Sequence, residues 1–133
     1  MSKINDYAKF VDTTTSNESK NFMAFINSTS KLEAHDNINV PRVMTSAIGM
    51  LAESGEFTEI IKKMVFQGKE FNEDNRFHMK RELGDILWYW IQGCIALGYT
   101  PDEVMDENIK KLEARYPNGF EVARSETREK GDI

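Results

Sequence analysis

Apolar residues recur along this chain at spacings of three and four, the period of a helix with one face turned to a core. Tyr7, Phe10 and Val11 predict a short first helix, and Phe22, Phe25 and Ile26 lie on one side of a second over residues 17 to about 32. A polar stretch with His35, Asp36 and Asn37 separates these from a long helix opened by Pro41 and running to about residue 66. A first-turn proline forfeits no hydrogen bond there. The run Gln67-Gly68-Lys69 predicts its end, and residues 72–76 a connection. The next pattern covers residues 77–97 and stops at Gly98. Thr100-Pro101-Asp102-Glu103 has the form of a capping box and starts a helix that ends at about Arg115, before Pro117-Asn118-Gly119. Alternating β-branched runs between turns are nearly absent, so the expected class is all-α. The expected organisation is one helical domain over residues 1–120 and a charged tail over 121–133.

Residues 86–97 are apolar nearly all round, from Ile86, Leu87, Trp88, Tyr89 and Trp90 to Cys94, Ile95 and Leu97. A helix of that kind needs cover on every side, more than a small bundle supplies. The expectation is a homo-oligomer, dimer or tetramer, with Trp88 and Trp90 at the interface. Gln92 and Gly93 interrupt the run, and it is short of the roughly 20 residues that span a bilayer. Seventeen Lys and Arg against 22 Asp and Glu leave a formal charge of −5, a poor balance for a phosphate backbone but no bar to a small anion bridged by metal. One cysteine and an amino terminus without an apolar run predict a protein of the cytoplasm, with neither membrane nor nucleic acid as partner.

The chemistry is carried by acids. Glu53 and Glu56 stand three residues apart, with Glu59 beyond them, and so do Glu82 and Asp85. Each pair lies side by side on one helical face, the first flanked by Ile60 and Gly49, the second beside Tyr89, Gly93 and Ala96. Like charges on partly apolar faces repel, so something must compensate them. A hard divalent cation takes oxygen ligands, and two antiparallel helices offering a pair each supply four. Gly55 and Gly84, lying between the paired acids, are expected to let the two backbones approach. The plainer account is a solvated face balanced by Lys62, Lys63, Lys80 and Arg81; two pairs, each straddling a glycine among apolar residues, weigh against it.

Other metal and nucleotide sites fail on particular residues. Neither His35 nor His78 follows a glutamate at the spacing of a di-iron bundle, and Gly68-Lys69 stands outside any phosphate-binding loop pattern. Both histidines are read as surface or connection residues.

At these acids the chain resembles the MazG-like nucleoside triphosphate pyrophosphohydrolases, an all-α group that includes dimeric dUTPases and dCTP pyrophosphatases. Their pattern is Glu-Glu-x-x-Glu, a spacer, then Glu-x-x-Asp. Here it reads Ala52-Glu53-Ser54-Gly55-Glu56 and Glu82-Leu83-Gly84-Asp85. The likeness runs from Ser46 through Ile61-Lys62-Lys63 and Ile86-Leu87-Trp88-Tyr89 to Asn108-x-x-Lys111-Leu112-x-x-Arg115-Tyr116-Pro117-x-Gly119-Phe120, a closing pattern like that of small phage and bacterial members. Ala52 departs from it, standing where the family has its leading glutamate. The resemblance implies Glu53, Glu56, Glu82 and Asp85 as ligands of Mg²⁺, with Mn²⁺ as a substitute. It implies hydrolysis of (d)NTP between the α- and β-phosphates, giving (d)NMP and pyrophosphate. Glu53 or Glu56 would orient or deprotonate the attacking water. Asn108, Lys111 and Arg115 fall on one stripe of the last helix and suit a phosphate chain, with Lys63 and Lys69 as further phosphate candidates. Tyr89 is a candidate to flank the nucleotide or to pack in the core. The alternative function is a helical module that senses nucleotide or binds a host protein without turnover.

Overall fold

Seven helices follow one another along the residues that a computed structural model of the chain describes, 2–36 and 38–127. They are α1 (Lys3–Thr14), α2 (Asn17–Lys20), α3 (Phe22–Asp36), α4 (Val40–Gln67), α5 (Glu73–Ala96), α6 (Pro101–Arg115) and α7 (Val122–Glu126). The described residues contain no strand, only an isolated bridge between Pro117 and Gly119, so the all-α expectation holds. Two compact units divide the chain, Met1–Pro41 and Arg42–Ile133.

In the first unit the single helix expected over residues 17–32 is two. Asn21 takes an extended conformation and its side chain accepts from the amide of Ala24, opening α3. The short polar side chain competes with the helix for backbone partners, and here it wins. Short α2 packs on α3, and Lys20 reaches back to the carbonyl oxygen of Asp12 at 2.6 Å.

In the second unit α4 and α5 run antiparallel, joined by contacts whose residue numbers rise on one helix as they fall on the other. Arg42 donates to the side chain of Gln92 at 2.8 Å, and Ser46 donates to the carbonyl oxygen of Tyr89 at 2.7 Å. Ser46 is 2% exposed, so the tie is made away from competing water. Two glycines face the opposite helix directly: at Gly49 a side chain would collide with the ring of Tyr89, and at Gly93 a Cβ would stand 2.6 Å from the Ser46 hydroxyl. Gly55 and Gly84, expected to permit the approach, have open space where a side chain would go. They sit beyond the crossing, and the register is set by small residues one to two turns away.

The turns follow their chemistry. Asn72 caps α5 by accepting from the amide of Asn75 at 2.9 Å, so this helix starts a turn earlier than its apolar pattern shows. It ends with Gly98 at φ +78°, where the amide of Tyr99 returns to Cys94 and that of Gly98 to Ile95. Those two bonds satisfy carbonyls that the helix end leaves open. The capping box at α6 is made on both sides, Thr100 accepting from the Glu103 amide at 3.2 Å and Glu103 from the Thr100 amide at 2.7 Å. The tail forms α7 as far as Glu126, and residues 128–133 of the expected tail lie outside the described residues.

The apolar second half of α5 stays partly bare within one chain: Leu87 is 53% exposed and Trp88 54%. Among the described residues the buried apolar set is Val40, Cys94 and Ala96. No described helix is long and apolar enough to cross a membrane.

Candidate metal and phosphate site

One helical turn beyond the Gly49–Tyr89 crossing, the same pair of helices brings acids face to face. Glu53 from α4 and Glu82 and Asp85 from α5 each offer an oxygen, and the three oxygens lie within 4.8 Å of one another. Glu53 and Glu82 are half-buried and Asp85 is exposed, so the cluster opens to solvent on one side. The carboxyl group of Glu53 is held above its ordinary pKa, first by partial burial, then by the charges of Glu56 and Asp85, then by its contact with Glu82. Its ionised form is therefore disfavoured by its surroundings, as expected of a group waiting for a counter-charge. Three carboxylate oxygens at this separation fit a hard divalent cation, which prefers oxygen ligands and would cancel that repulsion.

Glu56 lies one turn further along α4 and lines a cavity of about 430 Å³ with Glu82, Glu59, Lys63, Lys69 and His78 among its walls. Glu59 pairs with both Lys62 and Lys63, the latter at 3.3 Å, and the two lysines hold its carboxyl below the usual carboxylate range. Of the candidates for substrate contact, Lys63 stands here, beside two of the four acids. His78, expected at the surface, is exposed but forms part of this wall. The signal that could have found it is its place one turn before Glu82 on the same helix face.

Asn108 and Lys111 line a different cavity, of about 950 Å³, with Trp90, Tyr99 and Val104, and none of the four acids faces it. Arg115 is half-buried, its guanidinium 5.9 Å from the centre of the Tyr116 ring, and its carbonyl oxygen accepts from Arg124. Within a single chain the stripe on α6 and the acids are thus not gathered at one place. The ring of Tyr89 packs over Gly49 and meets Trp88 edge to face at 4.9 Å.

Comparison with known proteins identifies the family of the second unit. A family model described as the MazG nucleotide pyrophosphohydrolase domain matches residues 43–120, all of them in the second unit and including both acid pairs. The Gene 37 protein of Mycobacterium phage L5 is 31% identical over 74 residues, a span covering 54% of this chain and 64% of that relative. The match therefore takes in less than two thirds of the relative's own length. No solved structure matches the chain.

Proposed function

Since the chain belongs to the MazG nucleotide pyrophosphohydrolase family, we propose that it hydrolyses ribo- or deoxyribonucleoside triphosphates between the α- and β-phosphates, releasing a monophosphate and pyrophosphate. The observation that carries this reading is the meeting of Glu53, Glu82 and Asp85 within 4.8 Å across two helices. With Glu56 they are the residues that would hold Mg²⁺. Bound there, the ion would neutralise phosphate charge and polarise the phosphorus toward attack.

The protein's own groups do the rest. Glu53 or Glu56 orients the attacking water and takes its proton. Lys63 offers its charge to the phosphate chain from the cavity wall. Tyr89 fixes the spacing of the helices and borders the nucleotide. Asn108, Lys111 and Arg115 bind substrate from α6, and because Asn108 and Lys111 line a cavity without the four acids, the stripe completes the site of a second copy. The exposed Leu87 and Trp88 supply the surface on which two copies associate, and the working state is a cytoplasmic homo-oligomer.

The deciding experiment is chromatography of products from a panel of nucleoside and deoxynucleoside triphosphates, with Mg²⁺ and with chelator. Monophosphate and pyrophosphate in the metal-containing reactions alone are expected. Orthophosphate as first product would refute the bond assignment, and binding without turnover of any member would make the chain a nucleotide-binding module.

A further inference from the structure

The cavity beside the acids differs between its two ends. Along the antiparallel pair, Glu56 and Glu82 line it nearer the acid cluster, and toward the α4–α5 loop Glu59, Lys63, Lys69 and His78 join the wall with Asn75 from the first turn of α5. The loop end is assembled by the end of α4. Gly68 adopts φ +65°, which a residue with a side chain takes only with strain, and turns the chain back so that the amide of Lys69 donates to the carbonyl oxygen of Lys63 at 3.2 Å. Two lysines six positions apart are thereby tied together at one end of the cavity. Asn75 fastens the far side of the loop, donating to the carbonyl oxygen of Glu70 at 2.7 Å while its own amide is capped by Asn72.

Glu59 is shared between Lys62 and Lys63, and Lys69 adds a further cation to the cavity wall. Glu56 and Glu82 line the same cavity, and a divalent ion held by them would offset their charge and leave the lysines to the phosphates. Among the described residues the side chains of Lys69 and His78 make no hydrogen bond or ion pair. Side chains on α4 lean toward the helix amino terminus, which directs Lys63 back toward Glu59 and Glu56. A chain of phosphates reaching from the acids into this cavity meets ammonium and imidazole donors along its length, and charge-assisted bonds of that kind are the strong ones.

We propose that Lys63, Lys69 and His78 form the subsite for the β- and γ-phosphates, and hence for the departing pyrophosphate, so that the nucleoside extends from the acids in the opposite direction. The proposal rests on the reading of the chain as a pyrophosphohydrolase and adds to it the direction in which the substrate lies. Each of the three residues is a binding group for the leaving group; none is assigned a proton transfer.

The test is calorimetric titration of the full chain with inorganic pyrophosphate in the presence of Mg²⁺, and separately with a nucleoside monophosphate. Lys69→Ala and His78→Ala are each expected to raise the Kd for pyrophosphate by about tenfold, the loss of one charge-assisted contact, and to leave that for monophosphate unchanged. Lys69→Arg, which keeps the charge, should bind pyrophosphate nearly as wild type does. Both residues are exposed, so their loss leaves the helices intact. Unchanged pyrophosphate affinity in both alanine variants, equal weakening of both ligands, or no pyrophosphate binding by wild type would each overturn the proposal. Product chromatography on wild type separates the two readings. Release of pyrophosphate with unchanged affinities defeats only the subsite. Weakened affinities without any turnover defeat only the reaction.

Discussion

A side chain on Gly49 would occupy the space now held by the ring of Tyr89. That contact sets the distance between α4 and α5, and one turn further on the same distance sets how far Glu53 stands from Glu82 and Asp85. Gly49→Ala is therefore expected to destabilise the fold by about 1–3 kcal/mol, the usual cost of overpacking. The stabilisation gained on adding Mg²⁺ should fall with it. Chemical denaturation with and without metal reads both quantities. An alanine variant as stable as wild type, with a full metal response, would mean that the crossing does not govern the acids.

Glu53 carries a pH signature. Its carboxyl titrates above the ordinary value because of partial burial, the charges of Glu56 and Asp85, and the contact with Glu82. The folded metal-free protein therefore holds a proton on Glu53 where the unfolded chain has lost it. Stability falls as pH rises through the window between the ordinary glutamate value and the raised one. Glu53→Gln should remove that dependence and make the metal-free protein more stable at neutral pH, while abolishing hydrolysis. Thermal melts across pH, with and without Mg²⁺, test this; wild type should gain more from the ion than the variant does. Equal metal-induced shifts in Glu53→Gln, Asp85→Asn and wild type would remove these acids from the ligand set.

Glu103 behaves in the opposite sense. The Thr100 amide, then the Thr100 hydroxyl, hold its carboxyl below the usual range. Its contribution is present above the ordinary glutamate value and lost as pH falls toward the depressed one. Thr100→Ala should cost about 1 kcal/mol, the typical worth of such a cap. Glu103→Gln should shift the acid-unfolding midpoint upward, with little change at neutral pH in the response to metal. Acid titration followed by circular dichroism is the measurement.

The elements that were legible in the sequence are those whose cause is local. The capping box at Thr100 and the stop at Gly98 each depend on a few neighbouring residues, and the structure has them as read; of the two acid pairs it brings Glu53, Glu82 and Asp85 together and leaves Glu56 outside that cluster. The start of α5 was also written locally, in Asn72 and Asn75, but polar residues conceal a helix start when apolar periodicity is the guide. The break at Asn21 is of the same kind. What the sequence did not show is which glycine meets the opposite helix. Gly49, Gly55, Gly84 and Gly93 all lie on α4 or α5, and only the pairing of those helices decides that Gly49 meets Tyr89 and Gly93 meets Ser46 while the other two face open space. His78 was obscure for the same reason, because a cavity wall joins residues from both helices and the loop between them.

The separation of Asn108 and Lys111 from the four acids leads to a prediction about how sites are built. If the stripe on α6 serves the acids of a second copy, Lys111→Ala and Glu53→Gln damage different halves of a shared site. Each variant alone should lose hydrolysis, Lys111→Ala by about tenfold or more through loss of charge compensation in the transition state. Dissociated, mixed in equal amounts and reassociated as dimers, half of the assemblies pair one variant with the other. Each of those contains one site with both residues intact, so the mixture should regain about a quarter of wild-type activity. If both residues serve the same site of the same copy, each mixed dimer still holds one wild-type active site only when its partner's damage lies wholly in the other site, and here every copy is damaged, so no recovery is expected. Trp88→Glu supplies the control: a charge placed on the exposed ring's surface should dissociate the assembly in sedimentation and abolish complementation. Recovery in the mixture, lost on adding Trp88→Glu to both chains, requires that copies exchange functional groups. A stable wild-type monomer at micromolar concentration with full activity would exclude it.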